Sequence, residues 1–169
     1  NTTHEVTSFV YESPLPRAWA DEIVAMRRKM ETRSHTRSSD FFDVKLGSGG
    51  IVDIEFIAQM IQLKFGATTL PLRFLPTTDV LGIAPSAVLS GEHASFLKHA
   101  YGLYRRIGLM MRLSLEDRST ILPTGEKLEL LAGVLGISTG EEVRTTVAEN
   151  MKNVRSHFVQ VAKALSLTD

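Results

Sequence analysis

The stretch IVDIEFIAQMIQLKF, residues 51–65, constrains the fold more than any other part of this chain. At about 100° per residue, Ile51, Ile54, Ile57, Ala58, Ile61 and Phe65 share one face of a helix, and Val52, Phe56, Met60 and Leu63 make a second apolar face. A helix that is apolar on two sides must be packed between neighbours, so this stretch predicts a central element. Between the faces, Glu55, Gln59 and Gln62 form a narrow polar stripe. That stripe is either a solvent slit or a partly buried polar row with a function. Asp53 lies apart from it, in the first turn.

The neighbours are also helical. The prolines of SFVYESPLP bar a helix until they are passed, which predicts a short extended N-terminal piece. RAWADEIVAMRRKMETR then sets Trp19, Ile23, Met26 and Met30 on one face. FFDVKL reads as a short extended segment, and 66–86 as irregular, with one helical turn near 78–82. Ser90 is placed to cap a long helix carrying Phe96, Leu97, Ala100, Tyr101, Tyr104, Ile107 and Met111. EKLELLAGVLG is stopped by Gly136, and from Thr139 to about Leu165 apolar residues recur at spacings of three and four. No stretch alternates for long enough to make a sheet. The expected fold is all-α, a bundle of about five to six helices.

At 169 residues the chain has the size of one ordinary domain. Its 19 basic and 19 acidic residues balance to zero, which argues against a nucleic-acid binder while permitting a local basic patch. The absence of cysteine removes disulfides, thiolate metal sites and a thiol nucleophile. No apolar run reaches the roughly 18–20 residues that span a bilayer, so no membrane role is expected and a cytoplasmic home is the simplest reading. The first residues, NTTHEVTSFVYESPLP, resemble neither a signal peptide nor a natural start, and read as a cut through a longer protein.

The glycines of KLGSGG, Gly47, Gly49 and Gly50, admit two readings. One is a turn before a helix, with Asp53 favourably placed against the helix dipole at about 0.3–1 kcal/mol. The other is a loop whose backbone amides approach a phosphate. Neither a Walker lysine nor a G-x-G-x-x-G after a strand supports the second by spacing alone. Asp53 and Glu55 point about 200° apart on a helix, so they do not share a metal. The five histidines show no ligand spacing, and no metal site is expected. The arginines of MRRKM, Arg27 and Arg28, and the pair Arg105–Arg106 read as solvated helix faces or partner contacts.

VKLGSGGIVDIEFIAQMIQLKFG resembles the segment that follows each nucleotidyltransferase domain in the bifunctional glutamine synthetase adenylyltransferase/adenylyl-removing enzymes, K-x-G-x-G-G-I-x-[DE]-I-E-F-x-x-Q-x-x-Q-L. Lys45, Gly47, Gly49, Gly50, Ile51, Asp53, Ile54, Glu55, Phe56, Gln59, Gln62 and Leu63 match that pattern. Weaker likeness extends over LKHAYGLYRRIGLMMRLSLEDRSTILP and the closing helical pair, although Gly108 and Arg112 stand where many members have Glu and Gln. The related uridylyltransferases of the PII protein share G-G-x-x-D but not I-E-F-x-x-Q, and rank lower.

The resemblance implies that residues 1–16 end a preceding nucleotidyltransferase domain and that 17–169 form its helical companion. It implies a parent that uses ATP and Mg²⁺ to transfer AMP to a tyrosine of glutamine synthetase, its other half removing AMP by phosphorolysis. Val52, where the removing half usually has Arg, favours the transferring half. By the same resemblance Lys45, Gly47, Gly49, Gly50 and Gln59 face the nucleotide cleft, and Asp53 and Glu55 are the catalytic candidates. The metal-binding carboxylates of the transferase domain are absent, so this chain alone is expected to be inactive and to bind neither ATP nor Mg²⁺. The alternative is a docking module for glutamine synthetase or the PII protein, with Arg27, Arg28, Arg105 and Arg106 as contacts.

Overall fold

The computed structural model describes residues 10–11, 13–33 and 41–167. Among them, six α-helices carry the fold: α1 Trp19–Arg33, α2 Ile51–Phe65, α3 Thr77–Ile83, α4 Gly91–Ser114, α5 Glu126–Leu135 and α6 Gly140–Ser166. A 3-10 helix, Leu70–Phe74, joins α2 to α3. The domain is all-α, as its sequence predicts. At the N-terminal end Val10 and Tyr11 are helical rather than extended; residues 1–9 lie outside the described ones. The extended segment expected in FFDVKL reduces to one antiparallel bridge, Asp43 to Ile121.

Helix boundaries follow local chemistry. The Ser90 hydroxyl accepts from the His93 amide at 3.3 Å and the Thr139 hydroxyl from the Glu142 amide at 3.1 Å, each satisfying a first-turn donor. Gly136 closes α5 in the left-handed region at φ 73°, where a residue without Cβ meets no steric cost.

The two-sided helix is central. α2 packs against α6, α3, α4 and the 3-10 segment, and α6 in turn receives α1, α4 and α5. Ile54, Ile57, Met60 and Ile61 of α2 are wholly buried, with Leu97, Tyr104, Ile107 and Met111 of α4 and Val147, Val154 and Phe158 of α6. Each such large side chain contributes about 1.5–3 kcal/mol by leaving water. The stripe residue Gln62 is structural: its amide donates to the carbonyls of Leu72 at 2.8 Å and Leu75 at 3.1 Å, holding the 3-10 segment on α2.

Candidate functional site

The site is built outward from the loop before α2. Asp43 is buried, and one of its carboxylate oxygens accepts from the amides of Lys45 at 3.0 Å and Leu46 at 2.9 Å. The Gly47 amide donates to the Asp43 carbonyl, the Gly50 amide to Gly47, and the Ile51 amide to Val44. The Gly49 amide donates to Asp53 Oδ2 at 2.7 Å. These donors close inside the loop, so they are not the amides a phosphate would use. Gly49 has φ 79°, and a Cβ there would run into the Met151 backbone of α6. The glycine is required by close approach of the loop to α6 as well as by its backbone conformation.

Asp53 is the other half of this lock. It is fully buried, as is Arg27, and the two are paired through Arg27 Nε and Asp53 Oδ1 at 2.6 Å. Arg27 Nη2 also donates to the carbonyls of Leu46 at 3.0 Å and Gly47 at 2.8 Å. Arg155 of α6 approaches Asp53 Oδ2 at 3.2 Å and pairs with Glu31 of α1 at 2.7 Å. One carboxylate therefore ties α1, the glycine loop, α2 and α6 together. Beside it, Tyr104 is wholly buried, and its hydroxyl finds no hydrogen-bond partner among the described residues. Burial first, and then the Asp53 charge, push the Tyr104 pKa well above its ordinary value, so it stays a neutral phenol.

Glu55, two residues on, faces the opposite way, into an open groove of about 650 Å³. The groove runs between the start of α2, the exposed face of α4 and the segment 118–120. Lys45, Arg105, Arg106, Arg112 and Arg118 line it, with Glu55 the sole carboxylate among its lining residues. The Tyr101 hydroxyl donates to Glu55 Oε1 at 3.2 Å, and the Arg105 guanidinium lies over that ring at 5.7 Å from its centroid. Bonds from the Val44 amide to the Thr120 carbonyl (2.9 Å) and from the Leu122 amide to the Phe42 carbonyl (2.8 Å) clip the two loops together. That clip brings Lys45 and Arg118 to one groove.

The structure thus separates the residues singled out in the sequence. Asp53 and Glu55 point apart, as helical geometry requires, Asp53 into the charge network and Glu55 into the groove. Lys45, Arg105 and Arg106 line the groove with Glu55. Gly49 and Gly50 are buried in the loop and Gly47 is partly buried, so they support the groove rather than face it. Gln59 is exposed but does not line it. Arg28 is exposed on α1, whereas Arg27 is wholly buried and cannot be a surface contact, which corrects the reading of MRRKM as a solvated face.

Sequence reasoning did not find Arg155, Glu31, Tyr101 or Arg118 as members of either site. Arg112 and Gly108, the departures from the family pattern, both line the groove. Among the described residues no three His, Cys, Asp or Glu side chains cluster in a way that could hold a metal ion. With both oxygens of Asp53 engaged, Mg²⁺ does not fit Asp53 and Glu55. What this site offers is a row of cations and one hydrogen-bonded carboxylate.

A protein family described as GlnD PII-uridylyltransferase matches residues 22–162. Bifunctional glutamine synthetase adenylyltransferase/adenylyl-removing enzymes are similar over much of the chain. The one from Caulobacter vibrioides is 29% identical over 152 residues, 88% of this chain and 15% of the relative. That from Cutibacterium acnes is 36% identical over 118 residues, 68% and 12% of the two. That from Bartonella quintana is 33% identical over 134 residues, 72% and 12%. The chain therefore spans less than a sixth of the length of these relatives.

Proposed function

This chain belongs to the family described as GlnD PII-uridylyltransferase and resembles, at family level, the bifunctional glutamine synthetase adenylyltransferase/adenylyl-removing enzymes, and on that premise we propose that it is the helical companion of a nucleotidyltransferase domain. The parent protein transfers AMP from ATP to a tyrosine of glutamine synthetase. Adenylyl rather than uridylyl transfer is favoured by the names of the similar proteins and by the I-E-F-x-x-Q run of Ile54 to Gln59. Val52 favours the transferring half over the removing one. ATP and Mg²⁺ belong to the neighbouring domain, which supplies the metal-binding carboxylates and the in-line displacement.

The observation that carries this reading is the groove. The most distinctive segment of the chain presents Lys45 and Glu55 at an open basic surface, while its glycines and Asp53 are spent holding that surface in place. Set against the transferase domain, Lys45 and the α4 arginines offset the charge of a triphosphate, and Glu55, held by Tyr101, orients a basic group or accepts a proton at its free oxygen. Glutamine synthetase is the acceptor, and the PII protein the regulator, in this reading.

Glu55→Gln in a protein that carries this chain behind its transferase domain tests the assignment. The expected outcome is a loss of AMP transfer of about tenfold or more with a changed pH profile. Normal transfer with an unchanged profile contradicts it. Nucleotide-independent co-elution of this chain with glutamine synthetase or the PII protein, together with that normal transfer, identifies a docking module instead.

A further inference from the structure

The groove concentrates charge that the rest of the molecule leaves uncompensated. Lys45, Arg105, Arg106, Arg112 and Arg118 face it, and among the described residues none of the five forms an ion pair with a carboxylate. The whole chain has a formal charge of zero, so this is a local excess and not a property of the composition. Arg27 and Arg155, by contrast, are both paired with acids.

Local structure makes the cluster hard to disperse. Arg105 and Arg112 are seven residues apart on α4, and with Gly108 and Leu109 between them they occupy one face of the helix. Arg106 Nη2 is held at 3.0 Å from the Leu135 carbonyl, and Arg112 Nε at 3.2 Å from the Gly108 carbonyl, each leaving other guanidinium N–H groups to donate. Gly108 opens the middle of this face, since a Cβ there would meet nothing within 4 Å. Like charges confined in one concave site repel one another and focus the field on whatever anion enters.

We propose that this groove is an oligophosphate site: it binds a chain of two or three phosphoryl groups through Lys45, Arg105, Arg112 and Arg118. Several adjacent cations match the charge density of such a chain, and Arg donors match phosphate oxygens in pairs. A single monophosphate engages too few of them. Glu55 is the one carboxylate among the lining residues, and its negative charge repels a phosphoryl group placed beside it. The proposal names the ligand class for the groove of the preceding reading and rests on that reading only for the source of the phosphate, a nucleoside triphosphate or a free oligophosphate. It also departs from the expectation that this chain alone binds no nucleotide.

Calorimetric titration of this chain with tripolyphosphate at low salt is the test, with thermal melts of each variant to show that it is folded. The expected result is saturable binding, weakened about tenfold by Arg118→Ala and by Arg112→Ala and unchanged by Lys152→Ala, which removes an exposed cation outside the groove. ATP binding more tightly than tripolyphosphate identifies the nucleotide as the source, and the reverse identifies a free oligophosphate; either supports the site. No saturable binding of either, or equal weakening by Lys152→Ala, overturns it. Absence of binding alongside normal AMP transfer by the parent protein defeats this proposal and leaves the preceding reading intact. Binding alongside a parent that transfers no AMP does the reverse.

Discussion

Two carboxylates two residues apart have opposite roles because a helix turns about 100° per residue. Asp53 is directed inward and Glu55 outward, so one holds the domain and the other faces the groove. Arg27 and Asp53 are both fully buried, and removing one partner of such a pair leaves the other charge without compensation. Asp53→Asn is therefore expected to lower stability by about 3–5 kcal/mol in urea denaturation. A loss below about 1 kcal/mol would show that Glu31 and the carbonyls of Leu46 and Gly47 alone satisfy Arg27. The divergence of Asp53 and Glu55 was legible in their spacing. The partner of Asp53 was not, because Arg27 lies 26 residues away in a run of charges that reads like any solvated face. Only tertiary packing distinguishes it from exposed Arg28.

At the level of helices, α4 and α6 meet through a pair of rings as well as through their apolar faces. The His93 and His157 rings lie with centroids 4.3 Å apart and planes tilted by 42°, and the Phe96 ring lies 5.5 Å from His157. Burial first, and then the neighbouring His93, lower the His157 pKa below its ordinary value of 6.5, against a smaller opposing effect from Gln160. The folded state thus prefers neutral His157, and the unfolded chain takes up a proton first as the pH drops. Stability from this contact is present above about pH 6.5 and is lost as the pH falls through the folded-state value. Thermal melts between pH 7.5 and about 5 are expected to show a smaller decline in His157→Phe than in the parent chain; an equal decline contradicts the assignment.

The helices themselves were legible to a degree that single side chains were not. Period and caps placed the starts of α2, α4 and α6 and the stop of α5, because those signals are local. The 3-10 helix at Leu70–Phe74 was not found: it is five residues long, contains Pro71, and is held by Gln62 from α2 rather than by its own pattern. The extended reading of FFDVKL failed for a related reason. Its pairing with 120–122 is a single bridge, too short to impose alternation on the sequence.

For the whole molecule, the net charge of zero hides the basic groove on which the proposed function rests. The groove draws Lys45 from the loop, Arg105 and Arg112 from α4 and Arg118 from the segment beyond it, and no linear motif contains them all. The glycine motif borders the groove for a different physical reason from the one it suggests. Its amides are consumed within the loop, and its task is to press that loop against α6 and so set Lys45 and Glu55 at the groove.

The most direct test of the central claim follows labelled AMP from α-labelled ATP, with Mg²⁺, onto glutamine synthetase. It compares this chain alone with the same chain behind its transferase domain. Label on glutamine synthetase only with the transferase domain present is the predicted result. Label transferred by this chain alone, or by neither protein, contradicts the account: the first places the reaction within these helices, and the second removes this chain from adenylyl transfer.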